Sequence, residues 1–149
     1  MSYGHFSADG KEYIITNPNT PRPWINYLTN EDYCSLISAT GGGYSFYKDS
    51  KTERLTRFIG SNLHQDKPGK YVFIHDHASR KSWSLTWSPL RVKYDRYECH
   101  VGPGYQTVKQ VCHKIESEVT YFVPRHETCE LWVVNIRNRS SKTRALSVF

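Results

Sequence analysis

Apolar and polar residues alternate along most of the chain in short runs, and glycine, proline and small polar residues separate these runs. Alternation with a period of two predicts β-strands, whereas no segment shows the long apolar stripe of an amphipathic helix. The pattern predicts about a dozen strands spaced roughly ten residues apart, which is typical of a sandwich or a barrel. The predicted fold class is therefore all-β, an antiparallel β-sandwich or a barrel.

Turn residues set the bounds of the predicted strands, with hairpin signals at Asp9-Gly10 and at Gly102-Pro103-Gly104. A further strand is expected after the three glycines at 41–43. The other predicted strands are Tyr3–Phe6, Glu12–Thr16, Trp24–Leu28, Cys34–Ala39, Leu55–Ile59, Tyr71–His75, Trp83–Trp87, Tyr94–Val101, Tyr105–Cys112, Ile115–Val123, Glu130–Asn138 and Arg144–Phe149.

The last three of these strands differ in how they are expected to be covered. Ile115–Val123 alternates between apolar and polar positions, which predicts a strand with one buried face. Glu130–Asn138 is apolar on both faces, which predicts a central strand covered on both sides. Arg144–Phe149 has no capping segment after it. We therefore expect a polypeptide cut from a longer one, with an unpaired edge at this strand that favours dimers or aggregates.

Length and composition predict one ordered domain with a real core, because the 149 residues are 14% aromatic. The net charge of +6 comes from scattered basic residues, so no nucleic-acid partner is predicted. No apolar run is long enough to span a bilayer, and the first residues lack a secretory signal pattern. We expect a cytoplasmic protein with no membrane partner, whose four cysteines are free thiols packed as small apolar groups.

Metal ligation is not predicted by any histidine or cysteine pattern. Cys99-His100 and Cys112-His113 each place neighbouring residues on opposite faces of a strand, so each pair offers only one ligand. His75 and His77 share a face but adjoin a polar turn. No nucleophile motif, phosphate-binding loop or distinctive carboxylate pair appears either. The residues therefore predict no catalytic machinery, no metal and no organic cofactor.

The glycines at 41–43 begin the most distinctive stretch of the chain. Glycine lets the backbone turn sharply or lets another surface approach closely. Tyr44 and Phe46 follow, and Arg54 and Arg57 come a few residues later. Flat aromatic faces and the planar donors of arginine suit a sugar or a phosphate. The alternative is a loop that enters a strand whose aromatic residues fill the core.

Short motifs along almost the whole chain resemble the N-terminal domain of the inverting glycoside phosphorylases of the cellobiose phosphorylase family. The stretches that carry the resemblance are Tyr3-Gly4-His5-Phe6, Thr20-Pro21-Arg22-Pro23-Trp24-Ile25-Asn26-Tyr27-Leu28, Gly42-Gly43-Tyr44-Ser45-Phe46-Tyr47-Lys48-Asp49, Arg54-Leu55-Thr56-Arg57, Trp83-Ser84-Leu85-Thr86-Trp87-Ser88-Pro89, Tyr97-Glu98-Cys99-His100, Gly104-Tyr105 and Thr120-Tyr121-Phe122-Val123-Pro124.

The resemblance implies a sandwich of the super-sandwich type at 1–149, followed in the family by a linker and a catalytic (α/α)6 barrel that this chain lacks. Such enzymes cleave a β-linked disaccharide, using inorganic phosphate as co-substrate, and release an α-sugar 1-phosphate. An Asp of the barrel protonates the leaving oxygen, so these 149 residues are expected to be inactive alone. In the family this domain helps to form a homodimer and to close the active-site cleft. Tyr44, Phe46, Arg54 and Arg57 are the candidate cleft residues.

A second reading is a free-standing carbohydrate-binding sandwich. It would use Trp24, Trp83, Trp87 and exposed tyrosines as stacking platforms for β-linked sugars such as cello-oligosaccharides.

Overall fold

The computed structural model describes residues 2–58 and 68–149. Within these ranges the chain forms twelve strands and no helix, as the alternating pattern predicts. The strands are β1 (Gly4–Phe6), β2 (Tyr13–Ile15), β3 (Ile25–Thr29), β4 (Tyr33–Ser38), β5 (Gly43–Tyr47), β6 (Phe73–Asp76), β7 (Lys81–Ser84), β8 (Arg96–Gly102), β9 (Tyr105–Cys112), β10 (Ile115–Phe122), β11 (Leu131–Asn138) and β12 (Leu146–Val148).

The strands form three antiparallel sheets. A six-stranded sheet has the order β1-β2-β8-β9-β10-β11, and two three-stranded sheets have the orders β12-β6-β7 and β3-β4-β5. One core joins all three, because Val108 and Val119 of the large sheet cluster with Trp83 of β7 and with Leu28 and Ile37 of β3 and β4. Packing of the large sheet against the two smaller ones confirms the predicted all-β sandwich.

Tight turns join consecutive strands of the large sheet where the sequence predicts them. Gly10 has a φ of 71° in the β1–β2 turn, and Gly104 has a φ of 82° between β8 and β9. His113 and Lys114 take φ values of 52° and 64°, so both central residues of the β9–β10 turn are left-handed, as a two-residue hairpin of matching twist requires. β9 and β10 then pair in unbroken register from Cys112↔Ile115 to Tyr105↔Phe122.

The strand predicted at Leu55–Ile59 is wrong for its described part, 55–58. Arg54, just before this segment, makes one isolated bridge to Phe46 of β5, and the Leu55 N–H donates to the Ser45 carbonyl at 2.9 Å, but no ladder forms. The Thr56 hydroxyl accepts the Ser45 N–H at 2.7 Å, so a side chain replaces the backbone carbonyl that a ladder would need. Leu55 is 57% exposed, and Ile59 lies outside the described residues.

The prediction of a central strand at Glu130–Asn138 is also wrong. Among residues 2–58 and 68–149, β11 pairs with β10 alone and forms one edge of the large sheet. Leu131 and Val133 on one face are 43% and 46% exposed, and Trp132 and Ile136 on the other are 38% and 37% exposed. The strand is apolar on both faces, as predicted, but no described residue covers it on its free side.

The strand β12 lies at the edge of its sheet, as expected for Arg144–Phe149, and pairs with β6. Cys34, Cys99 and Cys112 are buried free thiols, whereas Cys129 is exposed, so the prediction of packed thiols is wrong for Cys129. None of the described residues belongs to a helix long and apolar enough to cross a membrane.

Candidate functional site

The glycine stretch makes a close backbone approach that only glycine permits. Gly41 has a φ of 97°, and a Cβ there would lie 2.6 Å from the Thr86 hydroxyl oxygen. Gly43 has a φ of 144°, and its Cβ would overlap the carbonyl oxygen of Leu36 on β4. Gly42 also bridges Gly69, so a second backbone segment runs alongside. The glycines therefore fix the position at which β5 and its aromatic residues begin.

Three aromatic rings form a cluster on the outer face of β5. Tyr44 and Phe46, two residues apart on the strand, have ring centroids 5.9 Å apart, and the Phe58 ring lies 4.6 Å from that of Tyr44. The Arg54 guanidinium lies 5.5 Å from the centroid of the Phe58 ring. Arg54 is anchored by an Nε–H that donates to the Ser50 carbonyl at 2.7 Å. The structure thus brings together three of the four predicted residues, Tyr44, Phe46 and Arg54, and adds Phe58.

Arg57, the fourth predicted residue, is exposed. Within the two described ranges, 2–58 and 68–149, no hydrogen bond or ion pair holds its guanidinium. It lies next to Phe58 in the chain and hence at the border of the cluster. Its donors are available to a ligand, but the structure does not orient them.

Sequence reasoning missed the part of this surface that comes from β3 and β4. Leu36 pairs with Tyr44 of β5 on one side and with Tyr27 of β3 on the other, so the three side chains form a row across the sheet. Tyr27 is 57% exposed. We call Tyr27, Leu36, Tyr44, Phe46 and Phe58 the aromatic platform. Strand register, which the sequence does not reveal, is the signal that groups them.

A buried ion pair lies on the opposite face of β5. The side chain of Lys70 is 2% exposed and that of Glu130 is 11% exposed, and Lys70 Nζ lies 2.9 Å from both carboxylate oxygens. The Ser45 hydroxyl donates to Glu130 Oε2 at 2.9 Å and accepts from Lys70 Nζ. Because Ser45 stands between Tyr44 and Phe46, this network fixes the backbone that carries both rings. It also ties β5 to the residue that precedes β11.

Burial acts on both members of this pair. It lowers the pKa of Lys70, an effect that the nearby Glu130 carboxylate opposes. Burial raises the pKa of Glu130, but the Lys70 ammonium and the hydrogen bond from the Ser45 hydroxyl outweigh it, so the pKa stays below the ordinary 4.5. Glu130 is therefore an ionised structural group at neutral pH and has no proton to donate.

The tryptophans do not form the shared stacking surface that the carbohydrate-binding reading expected. Trp83 is 0% exposed and belongs to the core, so its role as a platform is wrong. Trp24 is 37% exposed and packs edge-on against Tyr3 at 5.6 Å. Trp87 carries the Arg91 guanidinium 4.8 Å above its ring. The aromatic platform on β3–β5 contains no tryptophan, and Trp24 packs instead with Tyr3 and Tyr13.

No group of three or more potential metal ligands occurs within residues 2–58 and 68–149. His75 and His77 share a face, as predicted, with ring centroids 5.0 Å apart. Their ring nitrogens hydrogen-bond the hydroxyls of Ser82 and Ser147 at 2.9 and 2.8 Å.

Comparison of the sequence with known proteins places this chain in a family. Residues 11–149 match the model of the family described as glycosyl hydrolase 94, supersandwich domain. The chain is 39% identical over 151 residues to N,N'-diacetylchitobiose phosphorylase of Vibrio furnissii, with 100% of this chain and 19% of the relative covered. It is 35% identical over 148 residues to 3-O-beta-D-glucopyranosyl-beta-D-glucuronide phosphorylase of Paenibacillus borealis, with 99% and 18% covered.

The same similarity extends to a much larger protein. The chain is 31% identical over 150 residues to the cyclic beta-(1,2)-glucan synthase NdvB of Rhizobium meliloti, and the match includes 99% of this chain but 5% of the synthase. The chain thus spans about a fifth of the length of the two phosphorylases and a smaller share of the synthase.

Proposed function

Because the chain belongs to the supersandwich domain family of glycosyl hydrolase 94, we propose that it is the non-catalytic N-terminal portion of a disaccharide phosphorylase. The whole enzyme would transfer a sugar from a β-linked disaccharide to inorganic phosphate and release an α-sugar 1-phosphate. The observation that carries this proposal is similarity over the full chain to proteins named as phosphorylases, at 39% and 35% identity. Identity to the glucan synthase is lower, at 31%.

The carboxyl groups of the chain support a non-catalytic role. Phosphorolysis needs an acid that keeps its proton near neutral pH, which requires a raised pKa. In the described residues, hydrogen bonds and neighbouring cations outweigh burial wherever the pKa of a carboxyl departs from its ordinary value, and they lower that pKa. The carboxyl groups lowered in this way are those of Asp9, Glu12, Asp49, Asp76, Glu98 and Glu130.

In the proposed enzyme the aromatic platform and the arginines at 54 and 57 contribute to closing the active-site cleft, and the domain contributes to dimer formation. Partly exposed aromatic faces stack favourably against a sugar ring or an apposed domain, and the planar donors of arginine suit phosphate or sugar hydroxyls. The buried ion pair between Lys70 and Glu130 supports this role because it holds the backbone of the platform rigid.

A domain graft tests the proposal. The matched fifth of the Vibrio furnissii phosphorylase is replaced by this chain, and phosphate-dependent cleavage of N,N'-diacetylchitobiose is measured beside a panel of other β-linked disaccharides. We expect the graft to release sugar 1-phosphate, with kcat/KM lowered about tenfold or more by Arg54→Ala. A folded graft without activity on any disaccharide contradicts the proposed function. A folded, active monomer by light scattering removes the dimer role alone.

The aromatic platform also favours a second function, a free-standing carbohydrate-binding module. Titration calorimetry of the isolated chain with cello-oligosaccharides separates the two. Binding that Tyr44→Ala abolishes supports the module, whereas no heat of binding for the isolated chain eliminates it.

A further inference from the structure

Three connections between strands meet around one groove of about 470 Å³. They are the β6–β7 turn, the β9–β10 turn and the segment between β11 and β12, so residues from two sheets line the same space. The charged residues of this basic groove are Lys81, Lys114, Lys142, Arg144 and Asp76. Their net charge of +3 is half of the +6 of the whole chain. Basic residues that are scattered along the sequence are therefore concentrated here by the fold.

Asp76 and Arg144 hold the three connections of the basic groove together. The Asp76 side chain is 1% exposed, and its carboxylate accepts hydrogen bonds from Arg144 Nη2 at 2.5 Å and from the Ser79 hydroxyl. Arg144 also donates from Nη1 to the His113 carbonyl oxygen at 3.2 Å. The backbone of the groove is therefore preformed, and its carboxylate is already neutralised by its guanidinium.

The three lysines of the basic groove have no such partner. Lys81, Lys114 and Lys142 are exposed, and no carboxylate of residues 2–58 and 68–149 forms an ion pair with any of their ammonium groups. Three like charges around one groove repel one another, and a bound anion relieves that repulsion. The charge that remains after the Asp76–Arg144 pair is thus positive and available to a ligand.

The turns beside the basic groove also break a local backbone preference. Arg80, His113 and Lys114 have φ values of 56°, 52° and 64°. Glycine and asparagine adopt this left-handed conformation at a lower cost than a long basic side chain does, and a two-residue hairpin turn favours Asn-Gly. A residue that is unfavourable for its backbone indicates a role for its side chain. Backbone conformation and charge therefore point independently to the same groove.

The chemistry of the basic groove favours a phosphate group. Among the described residues that line it there is no Phe, Tyr or Trp, so it lacks a stacking surface for a sugar ring or a base. Its guanidinium already donates to Asp76 and His113, whereas ammonium groups bind phosphate as point charges. We propose that the basic groove binds a small anion through a phosphate group, either inorganic phosphate or the phosphate of a sugar 1-phosphate. This proposal rests on the geometry of the groove and does not depend on the proposed function.

An NMR titration of the ¹⁵N-labelled chain tests the basic groove, with sodium phosphate in one series and α-D-glucose 1-phosphate in another. Sodium chloride keeps the ionic strength constant, because exposed charges are screened by salt. We expect saturable shifts of the amides of 78–81, 113–114 and 142–144, with a Kd of about 1 mM or lower. The anion that binds more tightly identifies the source of the phosphate group, and equal affinities assign recognition to the group itself. No saturable shift at these amides with either anion up to about 10 mM overturns the proposal.

Lys114→Asn and Lys48→Asn form a matched pair of variants. Both lysines are left-handed, with φ values of 64° and 56°, and both substitutions remove one positive charge, but Lys48 does not line the basic groove. Lys114→Asn should weaken phosphate binding about fivefold or more and should not lower the urea midpoint, because asparagine tolerates a left-handed φ. Lys142→Gln, at an exposed position, should weaken binding similarly, and Lys48→Asn should leave it unchanged. Full affinity in both groove variants overturns the proposal, and so does an equal loss in Lys48→Asn, which indicates a response to net charge alone.

Discussion

Replacing Glu130 by glutamine leaves the Lys70 ammonium without its carboxylate where only 2% of the lysine side chain is exposed. An unpaired buried charge costs about 3–5 kcal/mol, a large share of the roughly 5–15 kcal/mol that stabilises a typical domain. The double variant Lys70→Met, Glu130→Gln removes both charges and should recover most of that loss. The structure thus predicts strong coupling between the two positions.

Urea unfolding followed by tryptophan fluorescence measures these changes, because the core contains the fully buried Trp83. Glu130→Gln should also lower the melting temperature by about 6–20 °C for a chain of this length. Glu118→Gln is the control, since the Lys109–Glu118 pair is 3.8 Å apart and its side chains are 43% and 37% exposed. Such surface pairs contribute about 0–1 kcal/mol. A loss below about 1 kcal/mol for Glu130→Gln, or a double variant no better than the single one, refutes the reasoning.

Three further predictions concern acid stability, the glycine stretch and the candidate site. Burial raises the pKa of Glu130, but the cation beside it lowers the pKa by more, so the pKa of the folded protein lies below 4.5. The stability that the ionised Glu130 contributes is therefore full above about pH 4.5 and is lost as the pH falls below it. Glu130→Gln should flatten the acid side of a curve of urea midpoint against pH, and an unchanged curve contradicts this. Gly41→Ala should lower the free energy of unfolding in urea by about 2–4 kcal/mol, because the strain of a left-handed φ adds to the clash with Thr86. Gly10→Ala, with nothing within 4 Å of its Cβ, is the control and should lower it by about 1 kcal/mol. Equal losses of unfolding free energy contradict the close approach at Gly41. Arg57→Ala should change the unfolding free energy by less than about 0.5 kcal/mol yet lower kcat/KM in the graft; unchanged kinetics remove Arg57 from the site.

The sequence predicts the strands of the large sheet well, because the alternation of a strand and the residues of a tight turn are properties of short segments. In β10, Ile115, Val119 and Tyr121 lie on one buried face, and the turn at His113-Lys114 leaves one register for pairing with β9. The match of residues 11–149 to the supersandwich family confirms the resemblance that the motifs indicated. Strand type and approximate bounds therefore follow from the sequence.

The place of a strand in the order of its sheet depends on residues distant in the chain, and the prediction of this place for β11 is wrong. The two apolar faces of Glu130–Asn138 indicate that β11 is buried on both sides, yet among the described residues it lies at an edge. At Leu55–Ile59 a single hydroxyl, that of Thr56, takes the place of a ladder carbonyl, and no periodicity reveals such a bond.

The candidate site was predicted in part for the same reason. Tyr44, Phe46 and Arg54 are close in sequence, so a motif found them, whereas Tyr27 joins the row only through strand register. The ion pair behind them joins Glu130 to a lysine sixty residues away, and five strands of two sheets lie between them in the chain. Nothing in the residues around either partner indicates that the two charges meet.

The central proposal is that these 149 residues are the non-catalytic portion of a disaccharide phosphorylase. Phosphorus NMR of reactions that contain inorganic phosphate and a β-linked disaccharide tests it most directly, with the isolated chain and the graft measured side by side. The account predicts a growing sugar 1-phosphate signal for the graft and none above the protein-free blank for the isolated chain. Steady turnover by the isolated chain, abolished by heat denaturation, would contradict it.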